Sequence, residues 1–221
     1  MFLKLPGFLD EPTVNEILST IGEMTWEDGL ATSQASRQRK NNEQLTQATE
    51  SAMPMIRQMA QAVMRNNRVG EWAVPKRIAR VMYSRYTEGA HYGPHYDSAL
   101  AGPGPGRADI SFTVFLSEPA SYDGGELVIE SSFGEISVKE PAGTIVLYDT
   151  GLRHRVNAVT RGSRVVSVGW LESLVRSPDA RDILFELSRV TRRAVAREPE
   201  SEDVIQLRGV RAKLLRLWAE T

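Results

Sequence analysis

Ser163-Arg164-Val165-Val166-Ser167-Val168-Gly169-Trp170 is the stretch on which the fold turns. It is β-branched, it alternates, and Arg161-Gly162 ahead of it is a turn signal, so it reads as a strand with Val166 and Val168 facing a core. Working outward, the same period of two begins near Lys76. Strands are expected over residues 78–86, 109–116, 126–130, 135–139, 144–148, 154–159 and 163–170. Turn signals separate them: the Pro/Gly run 102–106, Asp123-Gly124-Gly125 and Pro141-Ala142-Gly143. So many short strands in so little chain point to an antiparallel sandwich or jelly roll.

Helical periodicity flanks this core. Asp10 is placed to cap a helix opening Glu11-Pro12, with Val14, Ile17, Leu18 and Ile21 on one face. A second helix is expected over about 51–66, its stripe built from Met55, Met59, Ala60, Val63 and Met64. Between them, residues 32–49 are polar and aperiodic, and read as a surface loop or lid. After Ser177-Pro178-Asp179 two more stripes follow, Ile183-Leu184-Leu187-Val190 and Leu207-Val210-Leu214-Leu217, parted by Glu198-Pro199-Glu200-Ser201. The expectation is an α+β chain: helices over 8–70, a β core over 76–174, together a domain 1–176, and a helical extension 177–221.

Composition excludes several function classes. The 221 residues are 41% hydrophobic and 25% charged, enough to bury a core. Lys and Arg number 27 against 28 Asp and Glu, so no basic field draws the chain to nucleic acid or a membrane surface. The sequence has no cysteine, which excludes disulfides, thiolate metal sites and a cysteine nucleophile and fits a reducing cytoplasm. No apolar run reaches the ~18 residues of a membrane span, and residues 1–7 do not read as a secretion signal. The C-terminal stripes are compatible with packing on the core or on a second subunit.

Imidazole chemistry is confined to His91, His95 and His154, the only histidines. Tyr86-Thr87-Glu88-Gly89-Ala90-His91-Tyr92-Gly93-Pro94-His95-Tyr96-Asp97 reads as a turn feeding a short extended piece. In extended chain His95 and Asp97 share a side, and His154 opens a later strand. Two histidines and a carboxylate make a facial triad suited to non-haem Fe(II), with coordination positions left open. Arg164 should point inward like Val166 and Val168, and a buried guanidinium needs a partner. Two partners fit: an internal Asp or Glu, or the far carboxylate of a dicarboxylic cosubstrate chelating the metal. A turn at Arg161-Gly162 is expected to make residues 154–159 and 163–170 a hairpin that returns Arg164 to the metal. His91 reads as an exposed loop histidine, Arg153 and Arg155 as a solvated face, Tyr92 and Trp170 as packing residues, and residues 101–107 as a lid or long turn. Asn41 and Asn42 sit in the polar loop as candidate substrate contacts.

The set His95-x-Asp97, His154 and Arg164 resembles the Fe(II)/2-oxoglutarate-dependent dioxygenases of the prolyl 4-hydroxylase type, and more narrowly the bacterial PKHD-type (PiuC-like) hydroxylases. The narrower likeness rests on Arg85-Tyr86, on residues 109–117, on Tyr122-Asp123-Gly124-Gly125-Glu126-Leu127-Val128-Ile129, on residues 141–148, on His154-Arg155-Val156 and on the strand ending near Arg176. It covers most of 1–190 and fades after about Val195, which marks the last helix as particular to this chain. The resemblance implies a double-stranded β-helix core, Fe(II) held by His95, Asp97 and His154, and 2-oxoglutarate gripped by Arg164 with help from Tyr86. It implies O2 as co-reactant, ascorbate as reductant, and hydroxylation of an unactivated C–H with release of succinate and CO2. The carboxylate of Asp97, where related halogenases carry a small residue, points to oxygenation. An amino-acid-like, peptidyl or natural-product substrate is expected; a non-catalytic iron/2-oxoglutarate sensor and, less favoured, a nucleic-acid demethylase are the alternatives.

Overall fold

Alternation on the long strands sorts apolar from polar side chains to two faces, and both faces are buried. The computed structural model describes residues 2–32, 35–46, 48–100 and 106–220. In chain order the elements begin with β1 (Phe2–Leu5), α1 (Glu11–Gly22), β2 (Glu27–Asp28), β3 (Lys40–Asn41), β4 (Glu43–Leu45), α2 (Met53–Arg65) and α3 (Asn67–Ala73). The core strands are β5 (Pro75–Tyr86), β6 (His91–His95), β7 (Ile110–Phe115), β8 (Tyr122–Gly124), β9 (Leu127–Ser131), β10 (Gly134–Val138) and β11 (Ile145–Asp149). β12 (His154–Val156), β13 (Val159–Gly162), β14 (Arg164–Ser173), α4 (Pro178–Arg197) and α5 (Glu202–Trp218) complete the chain.

A seven-stranded sheet runs β1-β11-β7-β14-β5-β4-β2 and faces a five-stranded sheet, β10-β9-β12-β6-β3, with β13 and β8 paired apart. This is the double-stranded β-helix. On the larger sheet Val81, Tyr83, Ile110, Phe112, Val114, Ile145 and Leu147 point away from its partner and pack with Val14, Ile17 and Ile21 of α1 and Ile56, Met59 and Val63 of α2. The opposite parity, Phe115, Val146, Tyr148 and Val166, meets Leu127, Ile129 and Val138 between the sheets. Each such aliphatic or aromatic side chain contributes roughly 1.5–3 kcal/mol on burial. α1 is capped as its sequence suggests, with Asp10 Oδ1 accepting from Thr13 N at 3.1 Å.

Three expectations need correction, and one strand was not expected at all. Residues 154–170 form no hairpin: β12 pairs with β6 and β9 in the smaller sheet, whereas β14 pairs with β5 and β7 in the larger. The Arg161-Gly162 signal instead ends β13, whose partner is β8. The polar stretch 32–49 is not merely surface, because β3 adds to β6 and β4 to β5, burying Lys40, Asn42, Gln44 and Thr46. The N-terminus opens on a strand, with Phe2–Leu5 extending the larger sheet beside β11. On α4 and α5 the buried face is rotated from the expected stripes: Ala180, Leu184, Ser188 and Val204 are inside, whereas Ile183, Val190, Val210 and Leu217 are exposed.

α4 is tied to the core through Arg181, whose Nη2 meets Asp149 at 2.5 Å and whose Nη1 donates to the Val175 and Arg176 carbonyls. Of the run 101–107, residues 101–105 lie outside the described residues. No helix among the described residues is long and apolar enough to cross a membrane.

Candidate metal and cosubstrate centre

Gly93-Pro94 breaks the regular ladder of β6. Proline has no N–H to give a ladder, and the register with β12 shifts so that Val156 faces Tyr92 while His154 faces His95. The bulge places both imidazoles on one side, ring centroids 4.3 Å apart. Asp97, two residues on, brings Oδ1 to 3.6 Å from His95 Nε2 and Oδ2 to 3.6 Å from His154 Nε2. The three donor atoms lie within 4.8 Å of one another.

Each ligand is oriented by a bond of its own. His95 Nδ1 is 2.9 Å from the Gly93 carbonyl and His154 Nδ1 3.0 Å from the Leu152 carbonyl. Carbonyls only accept, so both Nδ1 atoms carry the proton and both Nε2 lone pairs face the shared space. Burial, the largest influence, pushes the His154 imidazole below its ordinary pKa and keeps it a neutral donor. Burial works to raise the Asp97 pKa, but its contacts with the His95 and His154 rings and the Trp170 hydrogen bond together hold it below the ordinary carboxylate value. Ser111 Oγ and Trp170 Nε1 each donate to Asp97 Oδ2 at 2.9 Å. Tyr92 stacks on His95 with centroids 3.6 Å apart. Two imidazoles offering Nε2 and one anchored carboxylate suit a borderline divalent metal that keeps open positions.

These groups open into a cavity of about 530 Å³ between the sheets, lined also by Tyr86, Tyr148 and Arg164. Arg164 opens β14 opposite Tyr86 of β5 and is 1% exposed. Among the described residues no Asp or Glu pairs with it, and its Nε has no hydrogen-bond partner. Its guanidinium carbon lies 5.1 Å from the Tyr86 ring centre and 5.5 Å from that of Phe115. Burial raises the Tyr86 phenol to about 12 and lifts Tyr122 and Tyr148 as well, so all three stay neutral near the cation. Of the two partners the sequence left open for Arg164, the internal acid is missing, and a cavity shared with the His/Asp cluster takes its place. The donor set and this unmatched guanidinium both fit Fe(II) with a dicarboxylate cosubstrate.

Arg164 needs room as well as a partner. Gly124 and Gly125 both have positive φ, +71° and +67°. A Cβ on Gly125 would sit 3.1 Å from Arg164 Cδ and 3.0 Å from Val159 Cγ2. Gly125 thus lets the arginine stem pass beneath the turn, while Gly124 lets the backbone approach the Ala158 carbonyl.

The other sequence candidates sort cleanly. His91 does not line the cavity; its Nε2 is 3.0 Å from the Gln38 carbonyl and its Nδ1 3.2 Å from that of Gly89. Arg153 and Arg155 pair with Glu130 and Glu135 on the outer face. Asn41 and Asn42 border a separate cavity of about 250 Å³. Trp170 is more than the packing residue it reads as, since its N–H orients Asp97. Its position was readable: six residues after Arg164, it shares that residue's inward parity. Ser111 has the same signal, alternating against Ile110 and Phe112. Arg80 has it too, in step with Tyr86 along its strand, whereas Lys40, which also lines the cavity, carries no comparable mark.

Comparison with known proteins agrees with this geometry. The pattern of the 2OG-Fe(II) oxygenase superfamily matches residues 81–172. A PKHD-type hydroxylase of Maricaulis maris is 42% identical over 221 residues, spanning 100% of both chains. One from a Picosynechococcus strain is 39% identical over the same span. A Pseudomonas putida prolyl-4-hydroxylase structure superposes with a TM-score of 0.57 at 20% identity, covering 78% of this chain and 92% of its own. Because the alignments run the full length, the expectation that the last helix is particular to this chain is overturned.

Proposed function

We propose, on the premise that this chain belongs to the PKHD-type hydroxylases of the 2OG-Fe(II) oxygenase superfamily, that His95, Asp97 and His154 are its iron ligands and Arg164 its 2-oxoglutarate anchor. The chain is an Fe(II)- and 2-oxoglutarate-dependent dioxygenase. Fe(II), when bound, supplies the redox chemistry that couples decarboxylation of 2-oxoglutarate, to succinate and CO2, with transfer of an oxygen atom from O2 to an unactivated C–H.

The residues divide the remaining work. His95 and His154 offer Nε2 because their Nδ1 protons are held by carbonyls. Asp97 supplies one charge, and Ser111 and Trp170 keep its carboxylate from rotating. Arg164 binds the distal carboxylate of the cosubstrate through charge-assisted hydrogen bonds, roughly 1.5–3 kcal/mol each. Tyr86, protonated in its buried setting, donates to the same carboxylate. Leu127, Tyr148, Val156 and Val168 wall the pocket with apolar surface that excludes water from the reacting end. Residues 1–176 are read as the oxygenase domain and 177–221 as its helical extension, in a soluble cytoplasmic protein. The substrate is a small molecule or a peptide, in the range from amino-acid-like compounds to natural products, and ascorbate serves as the reductant that keeps the iron ferrous.

The observation that carries the assignment is the buried Arg164 guanidinium, without an acidic partner among the described residues, in the same cavity as the His/Asp cluster. The test is anaerobic calorimetry with Fe(II) and 2-oxoglutarate, followed by mass spectrometry for products heavier by one oxygen and for succinate. His95→Ala should lose the metal. Arg164→Ala should keep the metal and weaken 2-oxoglutarate by at least about tenfold, one charge-assisted bond or more. Unchanged 2-oxoglutarate affinity in Arg164→Ala refutes the assignment.

A further inference from the structure

Among the described residues, the walls of the central cavity carry three cations, Lys40, Arg80 and Arg164, against one carboxylate, Asp97. On the function proposed above, the iron dication, the Asp97 carboxylate, the Arg164 guanidinium and the two carboxylates of 2-oxoglutarate neutralise one another. Lys40 and Arg80 are left over.

Neither has an acid of its own. Lys40 is 2% exposed, and its Nζ donates to the Gly29 carbonyl at 2.7 Å and to Thr32 Oγ1 at 3.2 Å. An ammonium has three donors, so one remains for a ligand. Arg80 stands at an inward position of β5, in step with Met82, Ser84 and Tyr86 along the cavity wall. Among the described residues no carboxylate pairs with either side chain. The sequence has no Asp or Glu at residues 33, 34, 47 or 101–105. The acids that bear on Lys40 are engaged elsewhere, Asp28 with Arg37 and Asp97 with the histidines. Burial first, then the neighbouring Arg80 charge, pushes the Lys40 ammonium down to about 8. Two like charges on a partly desolvated wall are unfavourable until an anion lies between them.

Their placement relates them to the reaction centre. Lys40 Nζ lies 4.9 Å from the centre of the Tyr92 ring, which stacks on His95. Arg80 is the cross-strand partner of Trp170, whose N–H bonds Asp97. Each cation is one aromatic side chain removed from a metal ligand, on a different sheet.

We propose that Lys40 and Arg80 form a carboxylate-binding subsite, and that the compound this enzyme hydroxylates is an organic acid held there by its free carboxylate. The inference rests on the proposed function and names its substrate class.

The probes are matched pairs of N-acetyl amino acids and their primary amides, titrated anaerobically into protein loaded with Fe(II) and 2-oxoglutarate. Acids should bind at least tenfold more tightly than their amides, with affinity falling as salt rises. Arg80→Gln, at a half-buried position, should remove most of that preference, and Lys40→Gln with Arg80→Gln all of it, with iron and 2-oxoglutarate binding retained. Equal affinity for acids and amides, failure of every acid to bind, or a full acid preference in Arg80→Gln overturns the subsite. The same pairs titrated without cosubstrate distinguish the two levels: an Arg80-dependent acid preference in a protein that binds no 2-oxoglutarate refutes the proposed function and leaves the subsite standing.

Discussion

Trp170→Phe isolates the part the protein plays in presenting its carboxylate ligand. The substitution keeps an aromatic ring on β14, in a smaller side chain, and deletes the N–H that reaches Asp97 Oδ2 at 2.9 Å. Ser111 Oγ, also at 2.9 Å, still holds the same oxygen, and is itself 3.0 Å from Thr150 Oγ1. A hydrogen bond to a buried carboxylate contributes roughly 1.5–3 kcal/mol. With one of two donors remaining the lower half applies, about 1.5–2.2 kcal/mol, or a roughly twelve- to fortyfold loss of metal affinity. Competition with a chelator of known affinity, using Mn(II) or Co(II) in place of Fe(II), measures this without any turnover. Circular dichroism against temperature shows whether the fold survives. Adding Ser111→Ala should cost more than the two single losses combined, since the carboxylate is then free to turn away. A Trp170→Phe protein that is folded and binds metal within twofold of the parent refutes the reasoning.

Three other outcomes are expected. The folded-state pKa of Lys40, about 8, lies below that of an unfolded lysine, so the unfolded chain holds the extra proton and stability should rise with pH. Denaturant titrations between pH 8 and 10 should show a gain of about 2–3 kcal/mol that Lys40→Met lacks; above that window the buried tyrosines, whose pKa values are raised on folding, reverse the trend. Asp149→Asn strips the buried Arg181 of its counter-charge and should destabilise the protein by about 3–5 kcal/mol in urea unfolding, loosening α4 first by hydrogen exchange. Gly125→Ala forces a positive φ on alanine and presses its Cβ on the Arg164 stem; calorimetry should show 2-oxoglutarate affinity falling several-fold more than metal affinity.

What could be read from the chain follows from what a local pattern can encode. Val166 and Val168 against Arg164, or Ile110, Phe112 and Val114 against Ser111 and Thr113, carry strand and facing together, because side-chain parity is a property of the strand alone. His95-x-Asp97 was legible for the same reason. Sheet membership is not local. The 154–170 hairpin failed because Arg161-Gly162 says that the chain turns, not which sheet it joins, and β12 and β14 part company there. Lys40 was hidden by its surroundings: a lysine among Ser, Gln, Asn and Arg reads as solvated, and only the addition of β3 to β6 buries it. Trp170 was visible in parity and lost to habit, since a tryptophan in an apolar strand is usually accounted for by packing alone.

On the proposed ligand set, the direct facing of His95 and His154 across β6 and β12 ties metal binding to strand alignment. β12 is three residues long and has little apolar surface of its own to hold it in place. A slip by one residue would turn His154 to the outer face and bring Arg155 inward, destroying the donor set at a stroke. On the proposed ligand set, a bound cation would favour the alignment that keeps both imidazoles inward, so the ion would act as a proofreader of the fold before any turnover.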